Sequence, residues 1–251
     1  MDAYIAGLID GSSSGHAINM GGGNNSLLIN GGSASILGGI DGGTGGLNFM
    51  TIDPGAGNSF SYAGSISDFS LVEFDSGLVT LSGASTYSGA TKVAGGVLEL
   101  DGANRISAAS SLDLDGGTLD IANAGGANGQ SFDCLALSNN STIDLNSTSM
   151  TFNCVGAIGA GKTLTVTNYL DTVSPDYAFR FAGNWSTSSS FLALIGDTMI
   201  DGEHARFLYD GAFTNVLPTP EPSTLGIFTW CGIAGIALRL RQRRKSPDRA
   251  D

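Results

Sequence analysis

Short runs of alternating apolar and polar residues recur along the chain at a nearly constant spacing. The runs begin at positions 97 (VLEL), 118 (TLDI), 142 (TIDL) and 163 (TLTV), which gives a period in the low twenties. Alternation with a period of two puts apolar side chains on one face of a strand and polar ones on the other. A repeat of this length is typical of one coil of a β-solenoid, in which each coil buries its apolar face against its neighbours. A twisted β-sandwich could use the same strands, but the regular spacing favours the solenoid.

Glycine makes up 38 of the 251 residues, which restricts the fold further. Without a triplet period this abundance excludes collagen, and it suits solenoid corners, where the backbone needs positive φ. Apolar residues make up 41% of the chain and charged residues 14%, so the chain can bury a core and is not a disordered polyampholyte. We therefore predict an all-β solenoid body over residues 1–168.

The body is strongly acidic, because residues 1–220 carry twenty acidic and only five basic side chains. Nucleic-acid binding is driven by clustered Lys and Arg, so no nucleic-acid partner is expected. The cysteines show no spacing typical of a zinc site, and we expect no metal site and no cofactor. Cys134 and Cys154 are read either as one disulfide formed after export or as two small buried side chains.

Residues 78–102 (LVTLSGASTYSGATKVAGGVLELDG) form the most informative stretch of the body. The stretch resembles the autotransporter-associated β-strand repeat, in which a strand ending in Leu-Ser-Gly is followed by a Ser-Thr-Tyr-x-Gly-x-Thr segment and a Val-x-Gly-Gly-x-Leu-x-Leu strand. The resemblance implies a right-handed parallel β-helix in an exported surface protein, and a scaffold rather than a catalyst. The matching residues are Leu81, Ser82, Gly83, Ser85, Thr86, Tyr87, Gly89, Thr91, Val93, Gly95, Gly96, Leu98 and Leu100.

Aromatic residues concentrate after the predicted body. The end of a solenoid exposes an apolar cross-section that a different segment must cover, so we predict a C-terminal cap over residues 169–217. An aromatic platform that binds carbohydrate is the alternative, although bulky aromatics mostly fill cores. The aromatics concerned are Tyr177, Phe179, Phe181, Trp185, Phe191, Phe207, Tyr209 and Phe213.

The last part of the chain, residues 218–251, has three segments in a fixed order. Residues 218–224 (PTPEPST) form a stiff spacer, and residues 225–238 (LGIFTWCGIAGIAL) are apolar throughout. Fourteen helical residues span roughly 21 Å, which is short against a hydrocarbon core of about 30 Å. We predict a single short C-terminal transmembrane helix with a cytoplasmic tail at 246–251. The basic residues that stop transfer are Arg239, Arg241, Arg243, Arg244 and Lys245.

The same order of segments resembles the PEP-CTERM sorting signal, with Pro220, Glu221 and Pro222 as the named tripeptide and residues 218–245 as the whole signal. The resemblance implies an exosortase-type sorting enzyme as partner, which reads these three residues, and a bacterium that makes extracellular polysaccharide. Residues 1–15 lack a basic segment and an apolar core of the kind a signal peptide has. We therefore expect the chain to start inside a longer protein.

Carboxylates are the remaining candidates for chemistry. Asp113, Asp115 and Asp120 could pair as acid and base, as in β-helix enzymes that act on polysaccharides. Together with Asp101 and Asp144 they could instead stack into a ladder that binds Ca²⁺. An outward Asp on a strand is, however, usually a solvated surface residue.

These observations favour a protein with no enzymatic activity. We expect an exported structural or adhesive protein of the cell surface or extracellular matrix, with an extracellular polysaccharide as a candidate partner. The alternatives are a polysaccharide-active β-helix lyase or glycosidase and a carbohydrate-binding module, each carried by the same tail.

Overall fold

A computed structural model of the chain describes residues 2–124, 129–170 and 178–220. It is an all-β solenoid of the right-handed type with about seven turns and 4% helix. The strands are β1 (Asp2–Ile5), β2 (Leu8–Asp10), β3 (His16–Asn19), β4 (Asn25–Asn30), β5 (Ser35–Leu37), β6 (Gly39–Asp41), β7 (Asn48–Asp53), β8 (Ser59–Tyr62), β9 (Ile66–Ser67), β10 (Leu71–Phe74), β11 (Leu78–Leu81), β12 (Ala90–Val93), β13 (Val97–Asp101), β14 (Leu112–Asp115), β15 (Thr118–Ala122), β16 (Gln130–Asn139), β17 (Ser141–Asp144), β18 (Met150–Ile158), β19 (Leu164–Thr167), β20 (Phe179–Ala182), β21 (Thr198–Ile200), β22 (Glu203–Tyr209) and β23 (Phe213–Pro218), and the helix is α1 (Ser189–Gly196).

Parallel strands from successive coils stack into long ladders. One ladder runs β1, β4, β7, β10, β12, β14, β16, β18 and β20. A second runs β8, β11, β13, β15, β17, β19 and β21, and a shorter one joins β3, β6 and β9. Strands within residues 2–76, where no repeat copy is evident, form coils of the same stack. The parallel ladders confirm the predicted solenoid.

The register of the second ladder tests the spacing read from the sequence. Val97 pairs with Thr118 and Thr118 pairs with Thr142, as the recurring runs predict. Thr142, however, pairs with Thr165 and not with Thr163. The step from β17 to β19 is therefore 23 residues, two more than the recurring runs predict. A shift of two keeps the same side chains on the inner face, so the face assignment stays correct.

The core is a set of apolar columns that run through the coils. Leu98, Leu119 and Ile143 occupy one position of β13, β15 and β17 and are all fully buried. Each such side chain contributes roughly 1.5–3 kcal/mol when it is removed from water. The polar residues between them point outward, as the alternation predicts.

The parallel stack ends in antiparallel strands. β21 still pairs in parallel with β19, but β22 and β23 pair antiparallel with each other and with β21 and β20, respectively. Phe181 and Phe191 are fully buried, and their ring centroids lie 5.4 Å apart at an interplanar angle of 78°. With Phe179, which is also fully buried, three of the aromatics considered for a carbohydrate platform belong to the core. The predicted cap boundaries at 169 and 217 remain predictions.

The predicted anchor falls outside the described residues. This applies to Glu221, Pro222, the apolar segment 225–238 and the five basic residues that follow it, whereas Pro220 is described and exposed. The chain divides into one compact unit at 1–218 and a second at 219–251. Among the residues that the structure describes, no helix combines the length and apolarity needed to cross a membrane.

Candidate functional site

The coils that carry the repeat motif, β10 to β13 (residues 71–101, here called the repeat coils), explain that motif residue by residue. The motif positions Leu81, Val93, Leu98 and Leu100 all lie in the core. The motif tyrosine, Tyr87, is fully buried, and burial raises the pKa of its hydroxyl. The spacing of the motif thus places apolar side chains on the inner face of one coil after another.

A chain of buried hydroxyls joins the repeat coils to the next coil. The oxygens of Tyr87 and Thr91 lie 2.8 Å apart, and Thr91 Oγ1 lies 2.8 Å from Ser110 Oγ. Ser110 Oγ donates in turn to the carbonyl oxygen of Gly89 at 2.6 Å. Buried polar groups are costly without partners, so this network satisfies the hydroxyl of the motif tyrosine and fixes the corner.

Two motif glycines are required by close backbone contact. A Cβ on Gly89 would collide with the backbone of Ser70 in the preceding coil. A Cβ on Gly96 would collide with the backbone of Gly77, and Gly96 also has a φ of +60°. Stacking of the coils therefore accounts for both of these motif glycines.

The acid–base candidates are divided between two ladders. Asp113 and Asp115 lie on β14 in the first ladder, and Asp120 lies on β15 in the second. Lys92 lies between two carboxylates, with its Nζ 3.0 Å from Glu73 Oε1 and 3.1 Å from Asp115 Oδ2. Hydrogen bonds from Lys92 and then Asn139 lower the pKa of Asp115, and the two carboxylates raise the pKa of Lys92. The directions of these two shifts favour the charged forms of Asp115 and Lys92.

A column of carboxylates lies on the outer face of the second ladder, where Glu99, Asp120 and Asp144 occupy neighbouring positions. Burial raises the pKa of Asp120, and the charges of Asp144 and Glu99 raise it further. Asn146 Nδ2 donates to Asp120 Oδ1 at 2.5 Å, and Asn168 Nδ2 donates to Asp144 Oδ1 at 2.8 Å. Each of these asparagines sits in the turn of the following coil, so the column is held by side-chain contacts between coils.

The predicted calcium ladder of Asp101, Asp113, Asp115, Asp120 and Asp144 does not form as one array. Asp113 and Asp115 are on a different ladder from the other three. Among the described residues, the group of three metal-ligating side chains with ligand atoms within 4.8 Å of one another is Asp133, Cys134 and Cys154, which contains none of the five.

Cys134 and Cys154 form a disulfide, which decides between the two readings that the sequence left open. They are in-register neighbours on β16 and β18, with their Cα atoms 4.4 Å apart. Since both sulfur atoms are in the disulfide, neither is available as a thiolate ligand. The bond joins the same strand position of two successive coils.

A small polar cleft, which sequence reasoning missed, lies on the outer surface near β16, β18 and β20. Its volume is about 200 Å³. It is lined by the side chains of Asn104, Gln130, Ser131, Ser149, Thr151 and Arg180, and together they define the polar cleft. These residues are far apart in sequence and follow no motif, because only the stacking of coils brings them together.

The side chain of Gln130, one of the lining residues, bonds to the backbone of Ile106 in the preceding coil. The amide of Gln130 is buried, its Nε2 donates to the carbonyl oxygen of Ile106 at 2.7 Å, and Ile106 N donates to its Oε1 at 3.2 Å. The side chain of Gln130 thus takes the place of a backbone partner for Ile106.

Comparison with known proteins identifies one similar family. The model of the passenger-associated transport repeat, an autotransporter-associated repeat, matches residues 72–100. No curated protein and no solved structure matches the chain. The matched residues are almost the whole of the repeat coils, so over this part the chain is similar to a repeat of exported passenger proteins.

Proposed function

We propose that this chain is an exported bacterial protein with a structural or adhesive role at the cell surface or in the extracellular matrix. The observation that carries the proposal is the match of the passenger-associated transport repeat to residues 72–100, within a β-solenoid whose stacking accounts for the motif. Stacked coils give a stiff, elongated body with a long polar outer surface, which suits a structural role.

The disulfide supports the location outside the cytoplasm. Disulfides persist in oxidising compartments and are rare in the cytosol of most bacteria. Cys134 and Cys154 are half-buried neighbours in adjacent strands, so their pairing needs no backbone rearrangement once an oxidant is present.

The proposed role is non-catalytic. In support, Asp115 is paired with Lys92, and Asp120 lies on a different ladder. Both carboxylates connect neighbouring coils: Asp120 Oδ1 accepts from Asn146 Nδ2 at 2.5 Å, and Asp115 Oδ2 lies 3.1 Å from Lys92 Nζ.

We also propose that the tail acts as the sorting signal. In this proposal an exosortase-type enzyme reads Pro220, Glu221 and Pro222, and the apolar segment 225–238 crosses the membrane until the basic cluster stops it. The support is the order of spacer, apolar run and basic residues in the sequence.

Surface digestion of intact cells that produce the protein tests the proposal. We expect added protease to remove the body from intact cells while a cytosolic marker stays protected. A chain with Pro220, Glu221 and Pro222 all changed to Ala should still leave the cytoplasm but remain in the membrane fraction. A wild-type chain that is fully protected until the cells are lysed would overturn the proposal.

A further inference from the structure

A carboxylate lies beside the disulfide that joins β16 and β18. Asp133, Cys134 and Cys154, here called the disulfide cluster, are all half-buried. One carboxylate oxygen and the two sulfur atoms all lie within 4.8 Å of one another. Cys134 Sγ is 3.7 Å from Asp133 Oδ2, so one oxygen of the carboxylate faces the sulfur atoms.

A break in the alternation of β16 brings the carboxylate and the sulfur together. Consecutive side chains of a regular strand point to opposite faces. In β16 the buried side chains of Phe132 and Leu135 are three positions apart instead of two, and Asp133 and Cys134 between them are both half-buried. The register adds the second sulfur, because Cys154 is the neighbour of Cys134 on β18. The cysteines are twenty residues apart in sequence, so their spacing alone does not indicate this cluster.

A second contact orients the carboxylate of Asp133. Asn153, which lies next to Cys154 on β18, donates from Nδ2 to Asp133 Oδ1 at 3.4 Å. This leaves Oδ2 as the oxygen beside the sulfur atoms. Among the described residues, Asp133 takes part in no ion pair, so no basic side chain there neutralises its charge. Hydrogen bonds of this kind orient the carboxylates that ligate metal ions in proteins.

Reduction changes what the disulfide cluster can bind. A dithiol reductant transfers two electrons and two protons to the disulfide, which breaks the S–S bond, gives two thiols and converts the reductant to a disulfide. A metal ion that binds the sulfur atoms then displaces the two thiol protons. Zn²⁺ suits such a set of ligands, because it binds thiolate at about 2.3 Å and carboxylate at about 2.1 Å. Tetrahedral geometry with these lengths places sulfur and oxygen about 3.6 Å apart, close to the 3.7 Å between Cys134 Sγ and Asp133 Oδ2.

We infer that the reduced protein binds one Zn²⁺ ion through Cys134 Sγ, Cys154 Sγ and Asp133 Oδ2, with water as the fourth ligand. The two sulfur atoms must separate to about 3.8 Å, which adjacent strands about 4.8 Å apart allow. The oxidised protein does not bind the ion, because both sulfur atoms are then in the disulfide. A disulfide oxidant that takes two electrons from the thiolates re-forms the bond and releases the ion. The inference requires neither export nor the tail, so its test and the cell-surface test fail independently.

Metal titration of the purified full-length chain tests the inference. Every sample carries Cys231→Ala, so that Cys134 and Cys154 are the remaining cysteines. After reduction by a dithiol and removal of the reductant, competition with a chromophoric chelator should show one Zn²⁺ per chain, and the oxidised chain should bind none. Co²⁺ should give a thiolate charge-transfer band with the reduced chain, and circular dichroism should show that the strands persist. Equal metal binding by the oxidised chain, no binding by the reduced chain, a Co²⁺ spectrum without the band, or loss of the strands on reduction would overturn the inference.

Two variants of matched chemistry locate the bound ion. Asp133→Asn should weaken Zn²⁺ binding by the reduced chain at least about tenfold, because it removes the charged oxygen ligand. Asp113→Asn, which changes a carboxylate on β14 outside the disulfide cluster, should leave the affinity unchanged. Zn²⁺ should also raise the urea midpoint of the reduced parent chain and of Asp113→Asn more than that of Asp133→Asn, because an ion that binds only the folded state stabilises it. Equal affinities of the parent and Asp133→Asn, or equal losses in the two variants, would contradict the site.

Discussion

The repeat coils and the coils that follow them have the same buried alternation but differ in how their corners are joined. In the repeat coils Leu71 pairs in register with Ala90, and Leu78 with Val97. In residues 112–167, here called the distal coils, Thr118 pairs with Thr142, which is a longer step along the chain. Both sets of coils close over glycines that touch a neighbouring backbone, and the longer coils add asparagine–carboxylate contacts between their turns and a disulfide.

The difference shows two ways to hold neighbouring coils together. A glycine contact such as that of Gly89 leaves no room for extra atoms, so it restricts both sequence and coil length. A contact such as that of Asn168 with Asp144 spans a longer turn and tolerates variation in length. A family motif can therefore be recognised in the repeat coils, while the distal coils keep the fold without the motif.

Removing the disulfide should have the largest effect and should act on the distal coils. We expect the double change of Cys134 and Cys154 to Ala to lower the free energy of unfolding by about 3 kcal/mol, because the unfolded chain loses a closed loop. Urea unfolding followed by circular dichroism measures the loss, and hydrogen exchange should show that protection falls most in the distal coils. Cys231→Ala is the control and should leave both unchanged. A loss spread evenly over both regions would contradict the comparison.

A methyl group at a glycine contact should break the repeat coils. Gly89→Ala should cost about 1–3 kcal/mol, because the new Cβ meets the backbone of Ser70. Gly196→Ala is the matched control, since a Cβ there has nothing within 4 Å. Thermal unfolding of both variants decides the point: equal melting temperatures would show that the close contact is not required.

Removing one side-chain contact of the distal coils should cost less. Asn168→Gly keeps the positive φ of 52° but removes the donor to Asp144, and we expect a loss of about 0.5–1.5 kcal/mol. Asn104→Gly is the control, because Asn104 also has positive φ but its side chain donates to no carboxylate among the described residues. If both variants lose the same stability, turn conformation and not the contact with Asp144 holds these coils.

The smallest effects should depend on pH and have opposite signs in the two ladders. The raised pKa of Asp120 means that its charged form is disfavoured in the folded state, so Asp120→Asn should stabilise the protein at pH 7, by less than about 1 kcal/mol. This gain should shrink as the pH falls through the raised pKa towards 3.8. Asp115 has a lowered pKa, so its stabilisation is present above pH 3.8 and is lost as the pH falls below it. Asp115→Asn should therefore destabilise at pH 7, and unfolding curves between pH 3 and 7 compare the two.

Much of the fold could be predicted from the sequence, because alternation and spacing are local properties. Residues 97–100 and 118–121 have the predicted register, because both runs keep the same alternation at the observed step between coils. For the run at 163–166 the sequence predicts a step that is two residues too short, because the length of a connection is not encoded in the strands that flank it.

The candidate sites were harder to predict. Ser131, Thr151 and Arg180 come together only through stacking, and no sequence window contains all three. The pairing of Cys134 with Cys154 could not be decided either, because it depends on the register of β16 and β18. Asp113 and Asp120 look alike in sequence but belong to different ladders, which alternation by itself does not reveal.

Disulfide mapping of the protein taken from the cell surface tests most directly whether an exported chain stacks these coils in register. Trypsin cannot separate the two cysteines, since no Lys or Arg lies between them, but cleavage before Asp144 can. Without reduction, the account predicts one cross-linked species that joins the Cys134 and Cys154 peptides and excludes Cys231. Free thiols at both positions, or a link from either to Cys231, would contradict it.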